Sequence, residues 1–163
     1  MKNRKIQFDD SVWFKSPEFI ETLNKKIDDI CTKIGFDDSN IMWIIYTPKT
    51  YTPLIDLICD YRESSYGYCC PSEKKIFIST KSIHDAIQKK LLFKCIPSSS
   101  YRKENDLLAN VILDEITHIQ TGCDHGNANY DKRHQKNRNL YYNDGITGFL
   151  LSNKSNSFPH TIF

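Results

Sequence analysis

No run of about 18 apolar residues occurs anywhere in the 163-residue sequence, so no segment reads as a membrane-crossing helix. The opening MKNRKIQFDD lacks the apolar stretch of a secretion signal, and the expected compartment is the cytoplasm. Internal repeats and low-complexity tracts are absent. A surplus of charge is also missing: the formal net charge is +2, which implies no general affinity for polyanions. The six cysteines (Cys31, Cys59, Cys69, Cys70, Cys95 and Cys123) are scattered and form no C-x-x-C pair. Cys69 and Cys70 are adjacent, which disfavours a bridge between them. These cysteines therefore read mostly as small buried residues in a reducing compartment, and their spacing does not suit a cysteine-rich zinc knuckle.

What is present is enough for a packed core. Hydrophobic residues make up 39% of the chain and aromatics 12%, which excludes global disorder. A chain of this length forms one domain, here residues 1–163, and buries roughly two thirds of its unfolded surface. The pattern predicts an α+β fold with a core over about 17–140. Ser16 and Pro17 mark the start of a helix whose apolar positions, Phe19, Ile20, Leu23, Ile27, Ile30 and Ile34, recur at helical spacing until Gly35. IMWIIYTP is a short β-rich run, a central strand halted by Pro48. The segment LIDLICDYRESSYGYCC is ambiguous at its start. From Tyr66 onward YGYCC, a turn at Pro71–Glu73 and KKIFIST form a hairpin or two neighbouring strands. Residues 80–92 read as a helix with His84 on its polar surface. IPSSSYRKEN is a polar loop, and residues 151–163, including His160, form a loosely docked tail.

Residues 105–121, NDLLANVILDEITHIQT, form the helix that bears on function, and Gly122 closes it. At about 100° per residue Leu108, Ile112, Ile116 and Ile119 share one face. Leu107, Val111, Asp114 and His118 share a second face, with Glu115 on the border between the two. A helix apolar around most of its circumference is buried, and burying an aspartate, a glutamate and a histidine costs free energy unless they pair or bind something.

The segment reads as the zinc-peptidase motif H-E-x-x-H with aspartate in the first position, D-E-x-x-H. In the intact motif, histidines four residues apart lie on one helical face and grip a metal, and the intervening glutamate activates water. A carboxylate can ligate a metal too, so Asp114, His118 and a third ligand beyond the helix can form the set, with Glu115 as general base. Gly122 allows a sharp turn that returns His125 to the same side. Asp124 is the alternative third ligand and His134 a remoter one. The plain competitor is an ordinary Asp–His pair at i, i+4 that binds nothing.

Asp114-Glu115-Ile116-Thr117-His118-Ile119-Gln120-Thr121-Gly122, followed by His125 and Tyr130, resembles the minimal zincin metallopeptidases, including SprT-like and WLM-type proteases. The likeness is closest to small proteins whose helix reads H-E-x-x-H-I-x-T-G. It spans roughly residues 40–135, and its specific part is about seventeen residues long. The resemblance implies a zincin-like domain with an edge strand, KKIFIS, beside the active helix. It further implies one zinc ion, hydrolysis of peptide bonds in protein substrates, and extended substrate held along that edge by strand addition. Tyr130 or His134 would stabilise the oxyanion, although core packing is the favoured role for Tyr130. Asp114 departs from the family pattern. An anionic ligand in place of a neutral one implies a less Lewis-acidic metal and slow turnover, and oxygen donors raise the standing of manganese or iron. The alternative is an inactive relative that binds proteins or peptides. A third reading rests on Lys132, Arg133, His134, Lys136 and Arg138 with Tyr141 and Tyr142, which together can meet nucleic-acid phosphates and bases. A solvated helix face is the plainer account of that cluster.

Overall fold

The computed structural model describes residues 2–48, 66–93 and 106–143. In chain order these form β1 (Ile6–Phe8), α1 (Pro17–Ile34), β2 (Met42–Tyr46), β3 (Gly67–Cys70), β4 (Lys75–Ser79), α2 (Thr80–Phe93), α3 (Leu107–Thr121) and α4 (Ala128–Tyr142). The fold is α+β, with four helices and one small mixed sheet among the described residues. The ambiguous start of the 54–70 segment, the 96–105 loop, the 151–163 tail, Cys59, Cys95 and His160 lie outside those residues.

Local signals set the expected elements. The Ser16 side chain accepts from the Glu18 amide, Pro17 occupies the first helical turn, and Gly35 takes a left-handed φ of 70° at the end of α1. Leu23, Ile27, Ile30 and Cys31, at helical spacing, are the buried residues of that helix. The strand order is β1-β2-β4-β3, with β1–β2 and β2–β4 parallel and β3–β4 antiparallel. Strand β2 is central, as its apolar run predicts.

KKIFIS was expected at the edge and is not there. Strand β4 pairs with β2 on one side and β3 on the other, leaving β3 outermost among the described strands. An interior strand must be apolar on both faces, and β4 meets that demand. Ile76 and Ile78 are fully buried on one face, and Phe77 stacks on Tyr68 at 4.3 Å on the other. Strand β1, only three residues long, carries no sequence signal of its own. It is defined by its pairing of Ile6 with Trp43 and Phe8 with Ile45.

The core lies between one sheet face and the helices. Trp43, Ile45, Ile76 and Ile78 meet Leu23, Ile27 and Ile30 of α1, Ile83 of α2, and Leu108, Ile112, Leu113 and Ile116 of α3 in a single cluster. Each fully buried Leu or Ile contributes about 1.5–3 kcal/mol against exposure. Helix α3 is thereby clamped between the sheet and the other helices, which fixes the position of its second half.

One polar anchor sits inside this apolar frame. Asp38, with a side chain only 1% exposed, accepts from Arg4 Nε at 2.5 Å, Lys2 Nζ at 3.2 Å and Trp43 Nε1 at 3.1 Å. Arg4 also reaches Asp28 on α1 at 2.5 Å, tying the N-terminal segment to both helix and sheet. Burial pushes the Asp38 carboxyl up, but the Arg4 guanidinium with the Lys2 and Trp43 donors outweighs it and holds it below its ordinary 3.8. A depressed folded-state value means stability that is full above that ordinary value and lost as pH falls through the folded one. Asp38→Ala should therefore cost about 1–3 kcal/mol in urea unfolding at neutral pH, because it removes the acceptor of buried Arg4 Nε and leaves that guanidinium only Asp28 and Asn24. The gap to wild type should narrow as the pH falls from about 3.8 down through the folded-state value. A gap constant across that range would refute a charge-based role.

Candidate metal centre

Helix α3 begins where Asp106 accepts from the Ala109 amide at 3.0 Å, and it ends at Gly122, whose φ is 65°. Leu108, Ile112 and Ile116 are buried, as the helical spacing predicts. Asp114 and His118 are half-buried one turn apart, while Glu115 is only 5% exposed.

Past Gly122 the chain folds back over the last turn of α3. The Cys123 carbonyl lies 2.7 Å from His118 Nδ1. A carbonyl only accepts, so Nδ1 carries the proton and Nε2 of a neutral ring presents a lone pair. His125 Nε2 is 3.3 Å from His118 Nε2 and 3.5 Å from Asp114 Oδ2. His118 Nε2 is 3.9 Å from Asp114 Oδ1. One donor atom from each of Asp114, His118 and His125 lies within 4.8 Å of the other two. Ligands at about 2.0–2.1 Å from a tetrahedral ion stand about 3.3 Å apart. The 3.3 and 3.5 Å separations are close to that edge, while the 3.9 Å one runs to the other carboxylate oxygen; with one atom of each residue within 4.8 Å of the rest, these residues can hold a metal ion. Among the described residues this is the one such His/Cys/Asp/Glu group.

Of the three residues weighed as third ligand, His125 is the one that joins the set. Asp124 is exposed, and its carbonyl accepts from the Asn127 amide in the turn leading to α4. His134 stacks on the outer face of Tyr130 at 5.5 Å, and burial lowers its pKa. Tyr130 is 2% exposed, its ring lies 4.6 Å from the His118 ring at 29°, and its hydroxyl donates to Asp114 Oδ1. Packing is thus one of its roles, and its hydroxyl is directed at the Asp114 carboxylate.

Glu115 faces β3. Burial, and then the negative charge of Asp114, raise its carboxyl to about 8, opposed by a hydrogen bond from the Cys69 thiol. The same burial, with the charge of Glu115, pushes the Cys69 thiol well up, so it stays protonated and acts as a donor. The strand comes this close because residue 67 has no side chain. A Cβ there would stand 2.5 Å from Val111 Cγ1, 3.1 Å from Phe77 O and 3.5 Å from Glu115 Oε1. Sequence reasoning missed Gly67 and Cys69 as site residues. Their signal lies in YGYCC, where two small residues alternate onto the face that meets α3.

The donors open onto a cleft of about 420 Å³ bordered by Tyr68 and Cys69 of β3, Asp114, Glu115 and His118 of α3, and His125. A larger hollow of about 490 Å³ between α1 and α2 is lined by surface lysines and carboxylates and gathers no histidine or cysteine. The basic run of α4 is only partly presented to solvent. Lys132, Arg133 and Lys136 are exposed, whereas Arg138 donates to Asn110 at 3.0 Å and the buried Tyr141 donates to Asp29 at 3.1 Å. His84 is exposed on α2. Cys31 is buried, Cys69, Cys70 and Cys123 are half-buried, and none of these four is in a disulfide. No described helix is long and apolar enough to cross a membrane. Compared with protein-family models, curated proteins and solved structures, the chain matches none.

The Gly67 contact makes a direct prediction. Gly67→Ala should destabilise the protein by about 1–3 kcal/mol through overpacking against Val111. Adding Val111→Ala should recover part of that loss in a chemical-denaturation double-mutant cycle. Strictly additive effects would mean that the strand and helix do not meet there.

Proposed function

We propose that this protein is a minimal zincin-type metallopeptidase holding one zinc ion on Asp114, His118 and His125 and hydrolysing peptide bonds in an extended polypeptide. The observation that carries this reading is the convergence of those three donors at a cleft where a buried glutamate, Glu115, follows the first of them. The His118 tautomer supports it, because the Cys123 carbonyl leaves Nε2 unprotonated and directed at the other donors. A bound divalent ion would supply Lewis acidity to the scissile carbonyl and to the attacking water.

The chain's own groups do the rest. Glu115 accepts the proton of the attacking water and passes it to the departing amine nitrogen as the C–N bond breaks, returning to the carboxylate. Its pKa, raised by burial and by Asp114, suits a group that must both take and give a proton, and positive charge held by Asp114 would lower it toward the working range. The Cys69 thiol restrains the carboxylate from the strand side. Strand β3 borders the cleft, so an extended substrate can lie alongside it. The negative charge of Asp114 reduces the acidity available at the metal, and turnover is expected to be slow. Four described cysteines that form no disulfide suit a reducing, cytoplasmic setting.

One observation favours a second reading, a non-catalytic peptide-binding module. Asp114 already has a hydrogen bond from Tyr130 and a histidine within 3.5 Å, so the cluster can be satisfied without an ion. A nucleic-acid role has less support, since Tyr141 is turned into the core and Arg138 is engaged with Asn110.

Elemental analysis of full-length chain purified without chelator or metal-affinity tag should find about one zinc per molecule, and Asp114→Ala should lower it. Glu115→Gln should retain the metal and abolish cleavage of a denatured protein substrate. A metal-free protein that zinc does not stabilise against heat would overturn the metallopeptidase reading and favour the binding module.

A further inference from the structure

The departure from the intact motif leaves one problem at the site. An imidazole in the first position presents a nitrogen at the end of a long, planar side chain, whereas aspartate is shorter and its carboxylate rotates freely about its last bond. Something must select which oxygen faces the histidines. Tyr130 is placed to do so. Tyr130 is 2% exposed and its ring packs on each imidazole of the cluster, stacked at 29° on His118 at 4.6 Å and tilted by 67° to His125 at 4.7 Å. Its hydroxyl is the donor to Asp114 Oδ1, since an ionised carboxylate can only accept. Oδ1, held by the hydroxyl, lies 3.9 Å from His118 Nε2, and Oδ2, the oxygen the hydroxyl does not engage, lies 3.5 Å from His125 Nε2.

The position of Tyr130 is itself fixed from behind. It lies in the first turn of α4, begun by Asn127, whose side chain accepts from the Asn129 amide at 2.9 Å. Further along the same helix, buried Asn137 donates to Thr117 Oγ1 at 3.0 Å and to Gln120 Oε1 at 2.8 Å on α3. Helix α4 therefore cannot slide along α3 without breaking bonds to the turn that carries His118.

Building on the metal-site reading above, we infer that Tyr130 is the positioning residue that makes aspartate a competent first ligand, by pinning Oδ1 and presenting Oδ2 to the ion. It acts through Asp114 and takes no part in the reaction itself. Outer hydrogen bonds of this kind are worth about 10- to 100-fold in metal affinity.

Tyr130→Phe keeps the ring, its burial and the stack, and removes the hydroxyl alone. Zinc affinity of the full chain, measured by competition with a chelating indicator, should fall about 10- to 100-fold in Tyr130→Phe, with the metal-free melting temperature nearly unchanged. The same change in an Asp114→His background should cost far less, because no carboxylate remains to be oriented. Equal affinity of Tyr130→Phe and wild type would overturn the inference. So would an equal loss in both backgrounds, which would mark the hydroxyl as generally structural. Failure of wild type to bind zinc at all would instead remove the metal-site reading on which the inference rests. If Tyr130→Phe did not fold, Asp114→His with Tyr130→Phe would still decide the matter, since unfolding of both variants assigns the hydroxyl to the fold rather than to Asp114.

Discussion

The reversal of the chain at Gly122 is the constraint on which the site depends. Its left-handed φ of 65° ends α3, and its amide returns to the His118 carbonyl at 2.8 Å. No atom lies within 4 Å of where a Cβ would stand, so the demand for glycine is conformational rather than steric. A residue with a side chain would have to hold that left-handed geometry at a cost of about 1–2 kcal/mol. From this one turn two consequences follow. The Cys123 carbonyl reaches His118 Nδ1 and fixes its tautomer, and His125 arrives beside His118 Nε2. Without the reversal the helix would present an ordinary Asp–His pair and no third donor.

Helix α3 also has to carry three ionisable groups in an apolar setting, and each is met by a specific partner. Asp114 receives the Tyr130 hydroxyl, Glu115 the Cys69 thiol, and His118 donates to Cys123. These partners come from α4, from β3 and from the loop after α3. The site is thus assembled where three segments far apart in sequence meet one helix. Burial of Leu108, Ile112, Leu113 and Ile116 holds that helix still. The polar partners then determine how its charged face is arranged.

Much of this was legible in the sequence because it is local. Caps at Ser16, Gly35 and Gly122, the helical spacing of Leu108, Ile112 and Ile116, and the apolar run of β2 all act within a few residues, and all appear where the pattern placed them. The choice of His125 over Asp124 and His134 followed from the same local turn. What escaped was non-local. Strand β1 exists only by parallel pairing with β2. The interior place of β4 depends on β3 pairing to its far side. Helix α4 has no apolar stripe and docks instead through Asn137, Arg138, Tyr141 and Tyr142, hydrogen bonds that no periodicity reports. Gly67 lies in the expected strand YGYCC with no sign of a special role, yet it permits a close approach to a helix about forty-five residues away in sequence.

Set beside an H-E-x-x-H helix, the aspartate at position 114 changes the electrostatics of this one. In an intact motif the first ligand is neutral and the glutamate beside it carries the only negative charge. Here two adjacent carboxylates share the end of a buried helix, and burial with the Asp114 charge drives the Glu115 carboxyl to about 8. Like charges at this distance favour any positive charge that can settle between the carboxylates and the imidazoles. A divalent ion on Asp114, His118 and His125 would satisfy that demand and let Glu115 ionise. A proton on Glu115 would satisfy it less completely and would silence the proposed base. The same residue that weakens an ion's Lewis acidity therefore strengthens the electrostatic pull on cations, and the hydroxyl of Tyr130 decides how that pull is aimed.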